Sequence, residues 1–112
     1  MLVTTKRGSV EFDGTSVTIR PPKGLAGFIA GNSATSIPLR AIHYIEFSEP
    51  SGMKNGYFRI NTGQPPLTGT PMRPAFMDAT KDPHSIIFTR REAAAFVELK
   101  DAIETALSND RR

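Results

Sequence analysis

Asp78, Asp82 and His84 are the residues whose types come nearest to a metal site, since carboxylates and imidazole are common ligands of divalent ions. Their setting argues against one. They fall in a proline-interrupted stretch with no fixed helical or strand face, and their spacing lacks the regularity of a ligand motif. Loop polarity is the better account. His43, the other of the two histidines, sits beside Tyr44 inside an expected strand, where it reads as half-buried rather than as a general base. Serines are plentiful, yet no Gly-x-Ser-x-Gly elbow occurs. Gly24-Leu25-Ala26-Gly27 and Gly31 are not followed by Gly-Lys-Ser/Thr, so no phosphate loop is expected. There is no cysteine, which removes disulfides, thiolate ligands and thiol nucleophiles. The chain reads as a non-enzyme, with no catalytic residue, no metal and no cofactor.

Binding chemistry is easier to place. Leu67, Met72, Phe76 and Met77 stand among prolines and small polar residues, a mixture suited to docking on a protein groove or a second subunit. Prolines lower the ordering cost of such a loop, and Met adapts to irregular surfaces. The alternative is that Phe76 and Met77 fold back over an opening of the core, and both readings stay open. Arg90 and Arg91 fall at the first two positions of an expected helix, where positive charge opposes the helix dipole. They answer an acidic partner, or are simply two screened surface charges. For lipid, Arg20 and Lys23 flank Leu25 and Phe28, a basic rim around apolar tips. Each basic residue near an anionic surface adds only about 1 kcal/mol, so two do not hold a protein there alone. Nucleic acid is not expected: the nine aromatics fall mostly at inward strand positions, without a basic groove beside them.

These residues depend on short strands and one helix to position them. Val10 and Phe12 alternate with Ser9 and Glu11, Asp13-Gly14 supplies a turn, and Val17 and Ile19 alternate with Thr18 and Arg20, a strong hairpin signal. Pro21-Pro22 ends the second strand. Lys23 to Ser36 is Gly- and Ala-rich and reads either as a weak strand around Phe28-Ile29 or as a loop. Ile37-Pro38-Leu39 resumes extended structure. Ile45 and Phe47 share one face of the next strand, with Tyr44 and Glu46 on the other. Phe58 and Ile60 face inward from Tyr57-Phe58-Arg59-Ile60. Thr62 to His84 holds five prolines and no periodicity, and connections of such length are usually functional or disordered. Ser85-Ile86-Ile87-Phe88 then leads into an amphipathic helix. Thr89 and Glu92 have capping-box spacing, and Phe96, Leu99, Ile103 and Leu107 form its apolar stripe, widened by Ala95, Ala102 and Ala106.

A chain of 112 residues is expected to form one domain with its own core. The longest apolar run is the five residues Ala93 to Val97, far short of a membrane span, and the first seven residues lack the apolar region of a signal peptide. A cytoplasmic location is therefore expected. The net charge of +3 is spread along the chain, which reads as a mildly basic, solvated surface.

The string Gly8-Ser-Val-Glu-Phe-Asp-Gly14, then Ser16-Val-Thr-Ile19, Ile37-Pro-Leu39 with Ile42, Gly56-Tyr-Phe58, and Ser85-Ile-Ile-Phe-Thr89 before a helix carrying Phe96 and Leu99, resembles one family. It is that of the short bacterial pleckstrin-homology-like domains of unknown function, common in actinobacteria and found in some of their phages and prophages. The resemblance runs from about Gly8 to Leu107 and implies a mainly β fold with one C-terminal α-helix, a bent antiparallel barrel or sandwich capped by that helix. Strands are expected within about 8–62 and 85–89, a long Pro-rich loop at 62–84 and the helix at about 90–108. The family offers no catalytic residues to carry over. Its eukaryotic relatives grip phosphoinositides with basic residues around the first hairpin, whereas here that hairpin turns on acidic Asp13-Gly14-Thr15. The expected function is a non-catalytic binding or adaptor module acting by protein–protein contact or self-association, with a phage-encoded host-modifying role as one form of it. The alternative is a peripheral membrane module using Arg20, Lys23, Leu25 and Phe28.

Overall fold

The Asp13 carboxylate shows how locally the first hairpin is determined. Its Oδ1 accepts hydrogen bonds from the Thr15 and Ser16 backbone N–H groups, both at 2.8 Å, and from the Thr15 hydroxyl at 2.9 Å. Gly14 takes a left-handed φ of 98°, which glycine adopts without steric cost. The two strands that this turn joins pair antiparallel, with Phe12 opposite Val17 and Val10 opposite Ile19. The donated N–H groups of Thr15 and Ser16 hold the Asp13 carboxyl down at about 2, against an ordinary value of 3.8. A depressed carboxyl stabilises the fold above its unfolded value and loses that contribution as pH falls through the folded one. Asp13→Ala should therefore be less stable than wild type at neutral pH and indistinguishable from it below about pH 2. Melts of the two chains between pH 1.5 and pH 6 measure this directly.

The computed structural model describes residues 1–21, 34–69, 75–79 and 82–111, with the backbone alone at positions 76 and 78. The strands are β1 (Leu2–Thr5), β2 (Gly8–Phe12), β3 (Ser16–Arg20), β4 (Thr35–Pro38), β5 (Tyr44–Ser48), β6 (Gly56–Asn61) and β7 (Ser85–Phe88). A 3-10 turn, Leu39–Ala41, follows β4, and the helices are α1 (Ala75–Ala79) and α2 (Ala93–Asp110). Strands β1-β2-β3-β4 form one antiparallel sheet and β5-β6-β7 a second. The fold is thus mainly β, two antiparallel sheets with one C-terminal helix.

Both sheets and α2 share one core. Val3, Val10, Phe12, Val17, Ile19 and Ile37 come from the first sheet, and Ile45, Phe58, Ile60, Ile86 and Phe88 from the second. Phe96, Leu99, Ile103 and Leu107 complete it from α2. The Phe96 ring stacks on Phe88 at 4.7 Å between centroids and lies 5.8 Å from Phe58. Each large side chain buried this way contributes about 1.5–3 kcal/mol relative to exposure, which is why the apolar stripe fixes the helix against the sheets.

Several expectations need correction. β1 was not among the expected strands, because Leu2–Thr5 shows no alternation and its turn, Lys6-Arg7, carries none of the usual hairpin dipeptides. His43 lies before β5 rather than inside a strand, and it is exposed. Leu39 begins the 3-10 turn rather than extending β4. α2 begins at Ala93, so Arg90 and Arg91 occupy the preceding turn, where Glu92 and Ala93 donate to the carbonyls of Thr89 and Arg90. Half of the capping box forms: Glu92 accepts from the Thr89 N–H at 2.8 Å, but the Thr89 hydroxyl also donates to that carboxylate instead of capping a backbone N–H. The Gly-rich stretch, read as strand or loop, lies outside the described residues up to position 33.

Candidate functional site

Strand β6 is buried along its whole length. Phe58 and Ile60 face the common core, so Tyr57, Arg59 and Asn61, which alternate with them, must be covered from the opposite side. The register places Glu46 of β5 across from Arg59 and Ile87 of β7 across from Tyr57. A charged pair has thus been built into the middle of a sheet face and then roofed by the connection that follows β6.

The roof is attached by hydrogen bonds. Arg59 donates through Nη1 to Glu46 Oε2 at 2.6 Å and to the Pro65 carbonyl at 3.0 Å, and through Nε to Asp82 Oδ2 at 2.7 Å. Glu46 Oε2 also accepts from Asn61 Nδ2 at 3.0 Å, and Glu46 Oε1 from the Leu67 N–H at 2.9 Å. Asn61, only 1% exposed, donates further to the Gln64 carbonyl at 2.9 Å. Gln64 Oε1 accepts from the Thr62 N–H and hydroxyl, while its amide nitrogen reaches His84 Nδ1 at 3.2 Å. Since that amide can only donate, Nδ1 is the acceptor and the neutral ring carries its proton on Nε2. Asp82 Oδ1 accepts from the His84 N–H at 2.8 Å. All four carboxylate oxygens of Glu46 and Asp82 are therefore engaged within the protein. Buried charges survive only with such full pairing.

A small apolar patch completes the roof. Tyr57, Ala79 and Ile87 are buried together, with Leu67 and Ala75 packed against them. Burial pushes the Tyr57 hydroxyl up from its ordinary value, with the Glu46 charge adding to the effect. That hydroxyl donates to the Leu67 carbonyl at 3.4 Å.

Of the residues singled out for protein contact, Leu67 thus packs into this patch. Met77, on α1, is 44% exposed, and Arg90 and Arg91 are exposed at the start of the helical segment. Arg90 reaches the Gly52 carbonyl at 3.3 Å, tying the helix start to the tip of the β5–β6 hairpin, where Met53 is fully exposed. Met53 went unnoticed in the sequence because its Pro50-Ser51-Gly52 surroundings signal only a turn. Met72 and the side chain of Phe76 lie outside the described residues, as does the side chain of Asp78. Of the lipid set, Arg20 is half exposed and paired with Glu11 at 3.0 Å. Lys23, Leu25 and Phe28 lie outside the described residues. Asp82 and His84 are brought together, but as parts of the roof network.

The Arg59–Glu46–Asn61 network was missed in the sequence. Its one available signal was the alternation itself, which puts Glu46, Arg59 and Asn61 on shared strand faces without saying that the face is covered.

Residues 10–104 match the family described as Domain of unknown function (DUF4429), and the chain belongs to that family. Comparison with curated proteins and with solved structures gives no match. No helix among the described residues is long and apolar enough to cross a membrane.

Proposed function

We propose that this chain is a non-catalytic, pleckstrin-homology-like binding or adaptor module of the cytoplasm that acts by protein–protein contact. Four plus three antiparallel strands with a C-terminal helix support the pleckstrin-homology-like reading. The observation that carries the function is the roof. In the connection after β6, of a length usually kept for function, Pro65 and Asp82 are fastened to Arg59 of β6 and Leu67 to Glu46 of β5, largely by charge-assisted bonds. Binding residues are commonly held on loops by a rigid scaffold, and such preorganisation lowers the ordering cost of association. The exposed groups are Met77 on α1, within the connection itself, and Arg90 and Arg91 before α2, with Arg90 bonded to the hairpin that carries Met53. An apolar tip beside Arg90, and an exposed Met on the connection, fit a protein surface with an acidic rim.

The test is affinity capture from host lysate with wild type beside Met77→Ser/Arg90→Glu/Arg91→Glu, with phosphatidylglycerol vesicles as a parallel probe. The reading expects a protein retained by wild type and lost at least tenfold by the variant, with melting temperatures within about 3 °C of each other, since exposed substitutions cost little. Equal retention by both chains would remove the site. Salt-sensitive sedimentation with the vesicles and no retained protein would favour the membrane alternative.

A further inference from the structure

The first sheet ends in an edge of a different character. Met1 and Phe12 exchange both backbone hydrogen bonds, at 2.7 and 2.8 Å. Antiparallel pairs alternate, so Val3–Val10 and Thr5–Gly8 are also hydrogen-bonded pairs, while Leu2–Glu11 and Thr4–Ser9 are not. The N–H and C=O groups of Leu2 and Thr4 therefore point away from β2, and among the described residues no strand pairs with them. Edges are normally blunted by proline, an inward charge or a bulge. β4 ends in Pro38, but Leu2-Val3-Thr4-Thr5 carries none of these.

Beside this edge, the outward side chains of the same sheet line a groove of about 520 Å³, bounded by Leu2, Thr4, Ser9, Glu11 and Arg20 and closed by Lys6 at the hairpin. Leu2 is 58% exposed. Glu11 is neutralised by Arg20, whereas Lys6 and Arg7 are exposed and, among the described residues, carry no ion pair. The free charge along the edge is positive.

We propose that β1 is a second docking site, which receives an extended segment of an acidic partner protein as a fifth strand of the first sheet. Four backbone hydrogen bonds to Leu2 and Thr4 supply the pairing, and alternate side chains of the segment enter the groove. An acidic residue at its hairpin end meets Lys6 and Arg7. A second copy of this chain is disfavoured as occupant by the charge it would bring. The proposal rests on the adaptor reading and gives it a second surface, on a different sheet from the roof.

The probe is a library of random ten-residue peptides displayed on phage, selected on the full chain and followed by a synthetic peptide of the most enriched sequence. The expected winners alternate β-branched or aromatic residues with polar ones and carry Asp or Glu at one end. The synthetic peptide should shift the amide resonances of Leu2 and Thr4. Thr4→Pro removes only an outward N–H, so it should weaken binding at least tenfold while the fold persists. Lys6→Glu/Arg7→Glu should weaken it comparably. If Thr4→Pro fails to fold, Leu2→Glu, which sets a like charge on an exposed position, serves in its place. Absence of enrichment, or binding that survives these changes, overturns the proposal. So does movement of the same amides with protein concentration alone, the signature of self-pairing. Binding lost on Arg90→Glu/Arg91→Glu but not on Thr4→Pro would dismiss the β1 site while leaving the adaptor reading in place.

Discussion

Arg59→Met should destabilise the chain by about 3–5 kcal/mol, because it leaves the buried Glu46 and the partly buried Asp82 without their counter-charge. Both ion pairs are short and almost wholly removed from solvent on the arginine side. For a domain whose total stability is on the order of 5–15 kcal/mol, this corresponds to a fall in melting temperature of roughly 10–20 °C. The loss should come mainly from the stranded carboxylates and less from the missing attraction. Arg59→Met/Glu46→Gln/Asp82→Asn, which removes all three charges, should therefore recover part of the stability. Thermal melts of the single and triple variants decide the matter. A triple variant no more stable than Arg59→Met would show that the charges themselves, rather than their pairing, hold the roof.

Phe96→Ala should cost a comparable amount, about 3–5 kcal/mol, for a different reason. Phe96 is fully buried and joins α2 to both Phe88 and Phe58, so its removal opens a cavity where helix and second sheet meet. Val97, its neighbour on the exposed side of the helix, is the control. Val97→Ala should change stability by less than about 0.5 kcal/mol. Urea denaturation of the two variants gives the comparison, and near-equal midpoints would mean that α2 is not the plug of the core.

Local features of the fold were readable, and long-range ones were not. Asp13 and Gly14 determine their hairpin through contacts within four residues, and the Phe96–Leu107 stripe follows from helical period alone. β1 escaped notice because its turn draws on Gly8, whose positive φ and close approach to the Arg20 carbonyl appear only once three strands are assembled. The roof escaped for a similar reason. Glu46, Arg59 and Asp82 are far apart in sequence, and only the register of β5 on β6 and the return of the chain before β7 bring them into contact. Leu67 illustrates the consequence. An apolar residue among prolines looks available for docking until Tyr57 and Ile87 are found beneath it.

The proposed adaptor role rests on a roof fastened at Pro65, Leu67 and Asp82, with Met77 exposed on α1, and on the exposed Arg90 and Arg91 that precede α2. Its most direct measurement is amide hydrogen exchange of the chain alone and with the protein retained in the capture experiment. The account predicts that Thr62 and Leu67 exchange slowly in both states, and that partner-dependent protection is strongest over Ala75–Ala79 and residues 89–92. Rapid exchange at Thr62 and Leu67 in the free chain, or a bound partner that leaves both segments unprotected, would contradict it.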